Sequence, residues 1–175
     1  MSAWSRTVPA FESKPPARVP WPWFVGLPTA ALGLQTLLPT LEPALAQFNL
    51  PFLATLNLML WCRSAVSAML LGMLIGCLHD GLTHGPVGLH GIVYTICGYL
   101  VARFGSHVRR DHALELGMFF AAAYATHEVV FGLTRSFLVS AGGETDWALA
   151  LVLTALHAGA GLFVFTMLSR AGLKP

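Results

Sequence analysis

Residues 64–88 decide the fold, and they read SAVSAMLLGMLIGCLHDGLTHGPVG. Along this apolar stretch, small residues and a final carboxylate recur every four positions: Ser64, Ala68, Gly72, Gly76 and Asp80. This spacing places them on one face of a helix, and the face lacks bulky side chains. Such faces let two helix backbones approach closely inside a lipid bilayer. The pattern predicts a transmembrane helix whose packing face is occupied either by another helix of the same chain or by a partner helix.

The composition indicates that most of the chain is in contact with lipid. Hydrophobic residues make up 55% of the 175 residues and charged residues only 10%, whereas a soluble domain has about 25% charged residues. The net charge of +2 comes from scattered basic residues, which argues against nucleic-acid binding. The cysteines lie in apolar stretches without CxxC spacing, so they predict neither a disulfide framework nor a zinc site.

The apolar stretches predict an all-α integral membrane protein, a bundle of six transmembrane helices. They cover roughly residues 23–41, 48–62, 65–79, 87–104, 113–139 and 147–168. We expect a flexible cytoplasmic leader at 1–20, a six-helix transmembrane domain at 21–170 and a cytoplasmic tail at 171–175. The second span is the weakest, because it is short and contains Asn49, Pro51 and Asn57. The alternative for the first span is a cleaved signal peptide, since Ala44-Leu45-Ala46 resembles a signal-peptidase site.

Basic residues favour a topology with both termini in the cytoplasm. Short cytoplasmic loops are enriched in lysine and arginine. If six spans are counted from a cytoplasmic amino terminus, only Arg135 lies near the outside. All other basic residues then fall on the cytoplasmic side: Arg6, Lys14, Arg18, Arg63, Arg103, Arg109, Arg110, Arg170 and Lys174.

The segment that follows Asp80 predicts a tight turn between two helices. Its glycines and Pro86 are typical of turns. The Asp80 carboxylate is placed to accept hydrogen bonds from backbone N–H groups in this turn. A structural role for Asp80 is the simpler interpretation, and the alternative is a carboxylate that carries protons or binds a ligand.

The run from Gly72 to Leu100, GMLIGCLHDGLTHGPVGLHGIVYTICGYL, resembles the core signature of the rod shape-determining protein MreD family. In that signature a glycine-spaced helix leads to an aspartate, a short glycine turn and a Leu/Val-Gly-Leu-His sequence that opens the next helix. The matching positions here are Gly72, Gly76, Asp80, Gly85, Gly88, Leu89 and His90. The chain departs from the family in its proline-rich leader, and in His79 and His84, where small or apolar residues are commoner.

The resemblance implies a non-enzymatic scaffold in the bacterial inner membrane. Such a protein would belong to the cell-elongation complex and bind an MreC-like membrane protein. It would support the RodA polymerase, its class B penicillin-binding transpeptidase partner and, indirectly, MreB filaments.

The MreD family is also similar in fold to the substrate-binding components of energy-coupling-factor transporters. A membrane component that binds a small, vitamin-like molecule for a transporter is therefore the alternative function. It would need a cavity lined by clustered polar residues, for which the candidates are Asn49, Asn57, His127, Glu128 and His157.

Three ionisable residues of the predicted fifth and sixth helices are further candidates, because polar groups at membrane depth usually have a function. His127, Glu128 and His157 would either form hydrogen bonds between helices or build a metal or proton-relay site. The HExxH zinc motif is absent, and we expect no metal, cofactor or catalytic residue. Small residues predict additional packing faces on these two helices, at Gly117, Ala121, Ala125 and Gly159.

Overall fold

The computed structural model describes residues 20–62, 64–139 and 147–171, which form helices joined by short connections. The α-helices of this part are α1 (Trp21–Leu41), α2 (Leu50–Met59), α3 (Ala65–Thr83), α4 (Leu89–Phe104), α5 (Ala113–Val139) and α6 (Trp147–Arg170). Two short 3-10 helices, Pro43–Gln47 and Gly105–His107, lie in the α1–α2 and α4–α5 connections. The described residues contain no strand, so the prediction of an all-helical fold is confirmed for them. The predicted leader, apart from Pro20, and residues 172–175 of the predicted tail lie outside the described residues.

Four helices are long and apolar enough to cross a membrane: α1, α3, α5 and α6. The chain is therefore a multi-pass membrane protein. The other two predicted spans are shorter as helices. Helix α4 has 16 residues. Helix α2 has 10 residues, so its length is about 15 Å at 1.5 Å per residue, or about half the thickness of a hydrocarbon core.

Helix α2 lies at the centre of the bundle but fills only half of its length. Nine of its 10 residues are buried, and it contacts α1, α3, α4 and α6. Its first N–H, from Leu50, donates to Gln35 Oε1 of α1 at 3.0 Å. Just beyond its last turn, the Leu60 carbonyl accepts from Arg110 Nη2 at 2.8 Å. Helix α2 therefore runs from the middle of the bundle to the α4–α5 connection.

The two ends of the bundle differ in charge. The end at the α4–α5 connection, called here the basic end, carries Arg103, Arg109 and Arg110. The opposite end, called here the turn end, holds the α3–α4 turn at residues 84–88. Because α2 begins midway and runs to the basic end, none of the described helices is central in the half of the bundle nearest the turn end.

Helices α3 and α4 pack closely because small residues of α3 meet the backbone of α4. A Cβ atom built on Gly76 would lie only 2.5 Å from the His90 carbonyl oxygen. Gly72 meets the Tyr94 carbonyl oxygen in the same way, and Ala68 is fully buried. The face predicted from the four-residue spacing is thus covered by a helix of the same chain. It is not free to receive a partner helix.

The other predicted packing residues have different surroundings. Ser64, expected on the packing face of α3, instead caps that helix: it is exposed, and its hydroxyl accepts from the Ser67 N–H at 3.1 Å. On α5 and α6, Gly117 and Gly159 have no atom within 4 Å of a built Cβ. Ala125 is exposed and Ala121 is half-buried. The small residues predicted to pack on α5 and α6 therefore lie mainly outside the core.

Candidate functional site

Three residues of the family motif form one hydrogen-bonded unit at the turn end. The fully buried Asp80 carboxylate accepts through Oδ2 from the Gly88 N–H at 2.8 Å and from the His90 N–H at 3.0 Å. His90 Nδ1 donates to Asp80 Oδ1 at 2.6 Å. Gly88 has a φ of 97°, a left-handed conformation that glycine adopts without steric cost. Asp80 thus ties the end of α3 to the start of α4.

Two further motif positions, Gly85 and Leu89, support this turn. The Gly85 N–H donates to the Asp80 carbonyl oxygen at 3.1 Å, which ends α3 with a satisfied carbonyl. Leu89 is buried at the first position of α4. Both residues therefore stabilise the same α3–α4 hairpin as Asp80.

Asn49 is the centre of a second buried network, midway along the bundle. Its side-chain oxygen accepts from the Phe52 N–H at 3.0 Å and from the Tyr94 hydroxyl at 2.7 Å. Because a backbone N–H only donates, Phe52 fixes the orientation of the Asn49 amide. The amide nitrogen lies 3.2 Å from His127 Nε2, and the backbone N–H of Asn49 donates to His157 Nε2 at 3.0 Å. A single residue thus connects α2 to α4, α5 and α6.

These contacts determine the tautomers of His127 and His157. Both rings accept a hydrogen bond at Nε2, so each carries its proton on Nδ1. His127 Nδ1 then donates to Glu128 Oε1 at 3.1 Å. His157 Nδ1 donates to the Leu153 carbonyl oxygen of its own helix at 2.8 Å.

The histidines of the α3–α4 hairpin have the same tautomer. The Tyr94 hydroxyl proton is donated to Asn49, so His79 Nδ1, 3.2 Å away, donates to the Tyr94 oxygen. His90 donates from Nδ1 to Asp80. Within the described part of the chain, neither ring bonds through Nε2, and neither Nε2 is among the buried atoms that lack a partner. The Nε2 lone pairs of His79 and His90 therefore reach open space.

A cavity of about 680 Å³ lies in the half of the bundle that α2 does not fill. This volume is within the range of about 300–1,000 Å³ that is usual for ligand pockets. Leu82, Thr83 and His84 line the cavity toward the turn end. Its other polar lining residues include Gln35, Asn49, His79, His90, His127 and Glu128. The arrangement presents hydrogen-bonding groups and aromatic rings to whatever enters.

The polar residues predicted from the sequence are only partly brought together. Asn49, His127 and Glu128 line the cavity. His157 lies behind this lining, where its ring stacks on Tyr124 with ring centroids 3.7 Å apart. Asn57 does not join them, because its amide nitrogen donates to the Leu53 carbonyl oxygen of its own helix at 3.0 Å.

Sequence reasoning did not assign Gln35, His79, Tyr94 or Tyr124 to the site. Gln35 is a polar residue within the apolar α1 helix, and His79 departs from the family pattern, so both could have been identified as candidates from the sequence. The tyrosines carried none, because an aromatic ring in an apolar stretch is ordinary in a membrane helix. Their roles depend on partners that are distant in the sequence.

The cluster does not have the geometry of a metal centre. Among the described residues, no group of three or more His, Cys, Asp and Glu side chains is arranged to hold a metal ion. His79, His90, His127 and His157 each bond to protein through Nδ1 instead. The side chains of the site are therefore arranged to form hydrogen bonds rather than to bind a metal ion.

No protein-family model, curated protein or solved structure matches the chain.

Proposed function

We propose that the chain is a non-enzymatic scaffold of the bacterial cell-elongation complex, as the resemblance to the MreD family implies. The observation that carries the proposal is the hydrogen-bonded unit of Asp80, Gly88 and His90. These are the most distinctive positions of the family motif, and their contacts explain why the motif has these residue types. The carboxylate pairs two N–H groups and an imidazole, and glycine supplies the required backbone conformation.

We place the chain in the bacterial inner membrane with six crossings and both termini in the cytoplasm. Helix α4 packs along α3, so it would cross the membrane with it. The segment after Leu41 would enter the bundle as a 3-10 helix and complete its crossing as α2. Arginines at the basic end favour a cytoplasmic position for that end. A fold of this kind would resemble the substrate-binding components of energy-coupling-factor transporters.

The partner helix would need a surface other than the face of α3, which α4 covers. We propose the small residues of α5, Gly117, Ala121 and Ala125, as the contact for a transmembrane helix of an MreC-like protein. No atom lies within 4 Å of a Cβ built on Gly117, so a neighbouring backbone has room to approach. RodA, its transpeptidase partner and MreB filaments would join through the same assembly.

Co-purification tests this proposal. The tagged chain is isolated from membranes of its own bacterium in a mild detergent, and its companions are identified by mass spectrometry. We expect an MreC-like protein and RodA among them. Ala125→Leu should lower recovery of the MreC-like protein, whereas Ala30→Leu, at an exposed alanine of α1, should not. Absence of an MreC-like companion from the unaltered chain would contradict the scaffold role.

The cavity favours a second candidate, a membrane component that binds a small molecule for a transporter. A scaffold does not need an internal space of about 680 Å³ lined by polar side chains. Detection of a small molecule in the purified protein, and its loss in a His127→Leu variant that still folds, would support this function. Protein companions and no bound molecule would favour the scaffold.

A further inference from the structure

We propose that the cavity at the turn end binds a small, flat organic cation with several N–H groups, such as an amidinium. The inference does not depend on the scaffold role. It rests on the second candidate function, to which it adds the chemical class of the ligand.

The charge of the lining selects a cation. Among the described residues, Glu128 is the carboxylate that lines the cavity, and no lysine or arginine lines it. A second carboxylate, Asp80, lies directly behind His90, which is also part of the lining. Because opposite charges attract, these carboxylates favour a positive ligand. An anion would have to lie beside Glu128 with no lysine or arginine from the described lining residues to pair with it, which is unfavourable.

Several hydrogen-bonding groups of the cavity are left as acceptors. His79 and His90 use their Nδ1 protons within the protein, so they offer Nε2 lone pairs. The Thr83 hydroxyl donates to the His79 carbonyl oxygen at 2.8 Å, so its free capacity is that of an acceptor. The Asn49 amide nitrogen is directed at His127. A complementary ligand supplies N–H donors, and a positive charge on the donor strengthens each bond.

The rings around Glu128 favour a flat ligand. The ring centroids of His90 and Phe131 lie 4.9 Å apart, and His127 stacks on Phe131 with ring centroids 5.9 Å apart. Tyr124 also lines the cavity. Aromatic faces attract cations and stack on planar groups. A planar cation would therefore use the aromatic faces and the carboxylate together.

Three probes of the same shape test the proposal: benzamidine, which is a cation, benzamide, which is neutral, and benzoate, which is an anion. Each is titrated into the purified full-length protein in an uncharged detergent, and binding is measured by calorimetry. We expect saturable binding of benzamidine at millimolar concentration. Loss of its charge-assisted contacts should make benzamide and benzoate bind about tenfold more weakly or worse.

Two variants of α5 locate the binding. Glu128→Gln should weaken benzamidine binding about tenfold, since it removes the charge but keeps the shape. Glu115→Gln is the matched control, because Glu115 lies on the same helix outside the cavity with a side chain 43% exposed, against 39% for Glu128. If Glu128→Gln fails to fold, Glu128→Asp is tested in its place. This variant keeps the charge and should retain the preference for the cation.

The outcomes separate the ligand class from the function. Preferential binding of benzoate would overturn the cation proposal and leave a small-molecule site. Equal loss of benzamidine binding in Glu128→Gln and Glu115→Gln would place the binding elsewhere and overturn it too. Failure of all three probes to bind would overturn this inference alone, because the second candidate function is tested separately by the small molecule that co-purifies with the protein.

Discussion

Asn49 pairs its N–H and its side-chain amide with groups on its own helix and on three other helices. A lipid bilayer offers no water to satisfy such groups, so each must find a partner within the protein. By contrast, the fully buried Asn57 uses its amide nitrogen within α2 and leaves its side-chain oxygen without a partner. The asparagine that caps α2 therefore connects this helix to three others, whereas the side-chain amide of the asparagine within α2 bonds only to its own helix.

We predict that Asn49→Leu destabilises the protein by about 2–4 kcal/mol, because His127, Tyr94 and the Phe52 N–H would lose their partner. The matched control is Asn57→Leu, which should change stability little or raise it, since it removes an unsatisfied oxygen. Thermal unfolding of both variants in the same detergent measures the difference. If the two variants unfolded at the same temperature, the hydrogen bonds of Asn49 would not stabilise the protein as predicted.

At the scale of elements, the α3–α4 hairpin depends on the absence of side chains at its contact. We predict that Gly76→Ala lowers stability by about 1–3 kcal/mol, because the new Cβ would meet the α4 backbone and force the helices apart. Gly81→Ala on the same helix is the control. A Cβ there has no atom within 4 Å, and alanine is the better helix former. Thermal unfolding should separate the two variants, and equal stability would show that α4 does not require Gly76.

The helices could largely be predicted from the sequence, but the position of α2 along the bundle could not. Long apolar stretches predicted helices close to the observed α1, α3, α5 and α6. The predicted span 48–62 contains α2, but the helix itself covers only Leu50–Met59. The Asn49 side chain caps it by accepting from Phe52 N–H, and Pro51 suits the first turn. Hydropathy shows that such a helix is buried but not where along the bundle it begins.

At the scale of the whole molecule, the site divides into a part that is local in sequence and a part that is not. Asp80 and His90 lie only 10 positions apart, on either side of the turn that contains Gly88, so their pairing could be anticipated from spacing and turn chemistry. Asn49 meets His127 and His157 across 78 and 108 positions. A single sequence carries no information on such pairings. The cavity follows from them, because it exists only where α2 stops short of the turn end.

Both proposed functions require the helices to cross the membrane as described, and the turn end is the position that tests this. If α2 and α4 did not cross, the α3–α4 turn would lie in the cytoplasm. We propose to fuse a reporter that is active only in the periplasm after Gly85, after Arg110 and after Gly143, the last of which lies outside the described residues. Six crossings predict activity after Gly85 and Gly143 and none after Arg110. An inactive fusion after Gly85, or an active one after Arg110, would contradict it.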